Sequence, residues 1–205
     1  MFYQVSLRKF RNHALLVLFS MIALYGQCQA DPSWLKSWEE ANTNRPASIT
    51  SSSRIAPADE PGIPFMITGE IYAPDGSLAQ DVIVHAYHRD KDGFDFGPGD
   101  RSLTTWRLQG WAKTDSNGRF RFQTIRPAPD HLGREGAHIH FTVVSPDWGR
   151  QWAPTTYFSD DPQVTDSQRE KSSKAGNFGF VRHVSEEGGV QSIEVKIRLK
   201  AREDF

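Results

Sequence analysis

The chain has 205 residues, with 24 Lys+Arg against 25 Asp+Glu, and is 38% hydrophobic. That length suits one domain with a real core, and the near balance of charge gives no electrostatic argument for a nucleic acid or an anionic membrane as partner. A lone cysteine, Cys28, rules out a disulfide framework and a cysteine-built metal site.

Residues 1–30 read as a signal peptide. Arg8, Lys9 and Arg11 form a basic start, Ala14 to Gly26 is an apolar stretch too short to span a bilayer comfortably, and Cys28-Gln29-Ala30 offers small residues for cleavage before Asp31. A lipid anchor on Cys28 is the alternative, to which Tyr25-Gly26-Gln27 is a poor match. The expectation is a secreted or periplasmic protein, off the membrane once cleaved. Cleavage removes three basic residues and no acid, leaving 21 basic against 25 acidic residues, a net charge of −4. It also removes the cysteine, so any metal would rest on nitrogen and oxygen ligands.

Residues 31–60 look like an extension in front of the domain. Pro32-Ser33 followed by Trp34, Leu35, Trp38 and Ala41 predicts a short amphipathic helix that packs onto the domain, and Asn42 to Ser53 reads as a linker. The Trp-containing extension is long enough to reach a second subunit, so a homo-oligomer stays open. The domain proper, 61–205, alternates short strands and turns. Phe65 to Tyr72, Asp81 to His88, Arg107 to Lys113, the Phe120/Phe122 run after Ser116-Asn117-Gly118, and Ile193 to Leu199 all carry the period of a half-buried strand. The fold class is all-β, an antiparallel β-sandwich.

The run Ala137 to Val144 is also a strand, so His138 and His140, two apart, leave the same face. That presents two ligands to a metal, although a pair of hydrogen-bonded strand histidines has the same spacing. Asp130 and His131 stand just upstream, in a loop opened by Pro127 and Pro129.

The order of these pieces resembles the intradiol ring-cleavage dioxygenases. It is carried by Glu70 to Gly76, Val82 to Gly93, Thr114 through Pro127, Ala137-His138-Ile139-His140-Phe141, and Thr155 to Phe158 with Asp161-Pro162. The resemblance implies a non-haem iron site, a small aromatic substrate such as a catechol, and dioxygen as co-substrate. In that family two tyrosinates and two histidines hold iron(III), and the family's histidines fall on His138 and His140. Its tyrosines do not fall on tyrosines: the first position is Asp95, two after Gly93, and the second is Asp130, three after Pro127. Beyond residue 30 the tyrosines are Tyr72, Tyr87 and Tyr157, none at a ligand position of the pattern. Carboxylates are harder, weaker donors and shift preference toward iron(II), manganese or another divalent ion.

The expected metal set is therefore His138, His140, Asp130 and Asp95, the last equally readable as a solvated turn carboxylate. Arg134, one residue away from the family's charge-balancing arginine, and His131, a candidate general base, complete the catalytic expectation. His85 and His88 lie on the second strand, near the same pocket or on its solvent side. Trp106, Trp111, Trp148 and Trp152 read as core or pocket wall. The alternative function is a metal- or ligand-binding sandwich that has lost ring cleavage.

Overall fold

Phe65, Ile67 and Ile71 are buried, while Met66, Thr68, Glu70 and Tyr72 between them point outward, the period of a strand with one wet face. In the computed structural model, which describes residues 30–96 and 104–205, that pattern builds two facing sheets. The expected leader lies outside the described residues except for Ala30, as do residues 97–103.

The first sheet has the order β1 (Ser52–Arg54), β5 (Arg119–Ile125), β2 (Pro64–Tyr72), β11 (Val190–Arg198), β10 (Ser185–Glu187). The second runs β4 (Leu108–Lys113), β3 (Ile83–His88), β6 (His138–Ser145), β8 (Thr156–Phe158), β9 (Val181–Arg182), with β7 (Gly149–Trp152) also on β6. Most pairings are antiparallel. The parallel ones are β1 with β5, β2 with β11 and β8 with β9.

Between the sheets Phe65, Ile67, Phe122 and Ile71 meet Val84, Ile139, Phe141 and Leu108, each nearly or wholly removed from water. Burying side chains of this size contributes about 1.5–3 kcal/mol apiece. The turn into β5 needs Gly118, whose φ is +64°, while Asp115 accepts from the Asn117 and Arg119 N–H groups.

Helix α1 (Pro32–Thr43) is capped by Asp31, whose carboxylate accepts from Ser33 N (2.9 Å) and Trp34 N (3.1 Å). Its apolar face covers the outside of the second sheet. Trp38 Nε1 donates to Thr142 Oγ1 at 2.9 Å, Trp34 Nε1 donates to the Tyr87 hydroxyl at 3.0 Å, and the C-terminal Phe205 sits edge-on to both indoles. The linker is not wholly unstructured, since its end forms β1. Helix α2 (Asp166–Lys174) follows β8, where no helix was expected from the sequence. A capping box, Thr165 with Gln168, starts it and was a visible signal. Among the described residues no helix is long and apolar enough to cross a membrane.

Candidate active site

Strand β6 divides its side chains between two environments. Ile139, Phe141 and Val143 enter the sandwich core, so His138, His140 and Thr142 emerge on the outer face beneath α1. Across the ladders His140 lies opposite Tyr87, Thr142 opposite His85, and His138 opposite Tyr157. His85 therefore shares the face of the pair. It is buried, stacked on Trp111 at 4.8 Å and bonded to Gln109 at 3.0 Å. His88 points the other way, inward, with Nε2 2.7 Å from Thr124 Oγ1. Neither histidine is on the solvent side.

The two imidazoles converge. His138 Nδ1 lies 2.7 Å from the Gly136 carbonyl, which can only accept, so the proton is on Nδ1 and Nε2 presents a lone pair. That Nε2 is 3.0 Å from His140 Nε2, with the rings at 87°. Burial above all, and then the positive guanidinium of Arg89, push the His140 pKa down to about 3. Below α1, Tyr87 stacks on His140 (4.9 Å) and on Trp106 (3.7 Å), which shields the pair from water.

The carboxylates collect on a residue that sequence patterning did not single out. Arg89, directly after β3, holds Asp95 through Nε at 3.2 Å, with Asp130 3.8 Å from Nη2 and Glu135 3.8 Å from Nη1. Its Nη1 is buried and makes no hydrogen bond among the described residues. Burial raises the Asp130 pKa, but the Leu132 N–H and the Arg89 and Arg134 charges outweigh it and hold the carboxyl below its ordinary range. The approach depends on Gly93, with φ +85°: a Cβ there would lie 2.3 Å from the Pro129 carbonyl. The 89–96 and 127–135 loops thus touch, and Asp95 and Asp130 meet the same guanidinium.

Arg134 and His131 lie further out. The Arg134 side chain is 71% exposed, with Nε 3.7 Å from Asp130, and exposed His131 stacks on Phe94 at 4.5 Å. Glu135 went unremarked in the sequence although it precedes His138 by three residues. Its Oε2 is 3.8 Å from His138 Nε2, and its Oε1 accepts from the Tyr157 hydroxyl at 2.7 Å. Burial and then that bond to Glu135 push the Tyr157 pKa up to about 12, so it is a phenol and not a phenolate.

Tyr87, Arg89, Asp95, Trp106, His140 and Trp152 line a cleft of about 300 Å³. A larger one, about 550 Å³, lies on the outer face of the first sheet along Thr68, Glu70, Arg119 and Arg121. The smaller is the candidate site because His140, one of the two convergent imidazoles, and the Arg89 guanidinium line it. Two nitrogens that bind one ion at about 2.1 Å and at right angles stand about 3.0 Å apart. The imidazole pair fits that spacing. Among the described residues no group of three His, Cys, Asp or Glu side chains closes on one point.

A dioxygenase family model matches residues 40–200. Catechol 1,2-dioxygenase 1 of Acinetobacter lwoffii is 29% identical over 126 residues, 53% of this chain and 40% of that protein. A chlorocatechol 1,2-dioxygenase of Cupriavidus pinatubonensis is 28% identical over 119 residues, 50% of this chain and 46% of its own. The chain thus spans less than half the length of these relatives. Among solved structures, the dioxygenase domain of a dioxygenase carbohydrate-binding protein fusion from Streptomyces sp. SirexAA-E superposes with TM-score 0.56 at 17% identity, over 76% of this chain and 91% of that one. Catechol 1,2-dioxygenase from Acinetobacter sp. ADP1 gives 0.56 at 20% identity, over 82% and 68%. At such identities the structural likeness is one of fold, a β-sandwich in each case.

Proposed function

We propose, on the footing that the chain belongs to the intradiol ring-cleavage dioxygenase family, that it is an exported, metal-dependent oxygenase acting on a catechol or related hydroxylated aromatic. The observation that carries this reading is the pair of Nε2 atoms 3.0 Å apart beside an aromatic-walled cleft. Export rests on the charge and hydropathy pattern of residues 1–30.

His138 and His140 supply the nitrogen donors for non-haem iron or another divalent transition ion. When bound, such an ion acidifies the ring hydroxyls it touches and makes the ring electron-rich enough to react with dioxygen. The protein's own share is positional. The Gly136 carbonyl fixes the His138 tautomer, and burial keeps His140 neutral, the form a metal requires. Tyr87, Trp106 and Trp152 exclude water and offer apolar faces to a ring. Arg89, with its spare Nη1 donor, takes the negative charge of an ionised ring hydroxyl, the part that the sequence had assigned to Arg134. Asp95, in the same cleft and held by Arg89 Nε, is the carboxylate placed to accept a hydroxyl proton.

With no tyrosine at the family's two ligand positions, the loaded protein is expected to lack strong visible charge-transfer absorption. The engagement of both carboxylates by Arg89 favours a second reading, a family member that still binds a metal or aromatic ligand but no longer cleaves rings. Elemental mass spectrometry of the purified protein beside His138→Ala, followed by oxygen uptake with a panel of catechols, decides between them. Metal lost in the variant together with oxygen consumption supports the oxygenase. Metal without oxygen uptake selects the second reading. No metal after reconstitution with iron, manganese, copper and zinc overturns both metal readings.

A further inference from the structure

Resting on the metal-dependent reading above, we infer that the third protein ligand is Glu135, positioned by Tyr157, and neither of the aspartates that stand at the family's tyrosine positions. Any two atoms that each bind one ion at about 2.1 Å must lie within about 4.2 Å of each other. Glu135 Oε2 meets that limit at 3.8 Å from His138 Nε2 and, among the described residues, is the carboxylate oxygen found within 4.0 Å of either imidazole. It also has room to adjust, since the Glu135 side chain is 42% exposed.

The oxygens of Glu135 are differentiated. Oε1 is occupied by the Tyr157 O–H, while Oε2 has no protein hydrogen bond among the described residues and lies between His138 Nε2 and Arg89 Nη1 at 3.8 Å from each. A ligand carboxylate with one oxygen pinned and the other facing the imidazoles is the arrangement in which an outer partner orients an inner ligand. Tyr157 suits the part because β8 pairs with β6 at His138, which sets its hydroxyl 2.7 Å from Glu135 Oε1. The aspartates are engaged elsewhere: Asp95 on Arg89 Nε, and Asp130 on the Leu132 N–H and between two arginines. Two histidines and one carboxylate would hold an ion and still leave it free to take a substrate hydroxyl.

The test is the affinity of the full folded chain for iron(II) and cobalt(II), measured by competition with a chelator, with the visible spectrum of the cobalt protein as a second readout of donor type. Glu135→Gln is expected to weaken binding by roughly 100-fold and to alter the cobalt bands, and Tyr157→Phe to weaken it by roughly tenfold. Asp130→Asn is expected to leave both unchanged. Circular dichroism of each variant separates a lost ligand from a lost fold. Wild-type affinity and spectrum in Glu135→Gln, or loss of metal in Asp130→Asn, overturns this ligand set while leaving the metal-dependent reading standing. Failure of the wild-type chain to bind either ion overturns both.

Discussion

The sandwich has two outer faces, and they meet different fates. On the first sheet Thr68, Glu70, Arg119 and Arg121 face a broad open cleft of about 550 Å³. On the second, His85, Tyr87, His138, His140 and Thr142 stand under α1, the tryptophans and Phe205, beside a cleft of about 300 Å³. The strands themselves are alike, each alternating apolar and polar residues. What differs is the cover. Glu70 is held below the usual carboxylate range mainly by the Tyr72 hydroxyl, at the wet surface, whereas His140 is driven to about 3 mainly by burial. A polar strand face becomes a chemical site when something excludes water from it.

Removing the cover is the largest way to break this contrast. Trp38→Ala deletes a buried indole and its hydrogen bond to Thr142, and is expected to cost about 3–5 kcal/mol in urea denaturation. A wild-type midpoint would show that α1 only rests on the sheet.

Acid comes next. His85 and His88 have pKa values of about 4 in the folded chain against 6.5 unexposed to it, because burial disfavours the imidazolium. Between those values the unfolded chain binds more protons. Stability is therefore complete above pH 6.5 and declines as pH falls toward about 4, by on the order of 3 kcal/mol per histidine. Thermal midpoints across that range measure the slope, and His85→Phe, which keeps a ring against Trp111, is expected to flatten it. An unchanged slope would remove His85 from the account.

The smallest effect belongs to the open face. Arg121→Ala should shift stability by no more than about 0.5 kcal/mol, since the side chain stands in water. A larger loss in the same denaturation series would mean that the first sheet's cleft is structurally committed as well.

The pairing of His138 with His140 was legible because a strand's period of two is a local property, and the same period showed which residues of β2 and β11 enter the core. The α1 helix was legible from Pro32-Ser33 and its Trp34, Trp38, Ala41 spacing, whereas its actual cap, Asp31, was not singled out. Helix α2 could have been read from Thr165 and Gln168, but the polar run after them carries no apolar stripe. Arg89 had no local signature at all. Its three carboxylate neighbours lie 6, 41 and 46 residues further on, and they meet it because two loops touch at Gly93 and Pro129. Glu135 likewise became a candidate ligand only when β8 brought Tyr157 alongside His138.

The amino-acid sequence by itself determined the six longer strands, the faces of their side chains, the amphipathic helix and the twin imidazoles, all set by φ/ψ preference and periodicity over a few residues. Only the tertiary structure decided which outer face was roofed and which carboxylate turned toward the histidines and which toward Arg89. Those outcomes depend on through-space desolvation and charge pairing between segments distant in the chain, where a displacement of an ångström or two separates a ligand from a counter-ion.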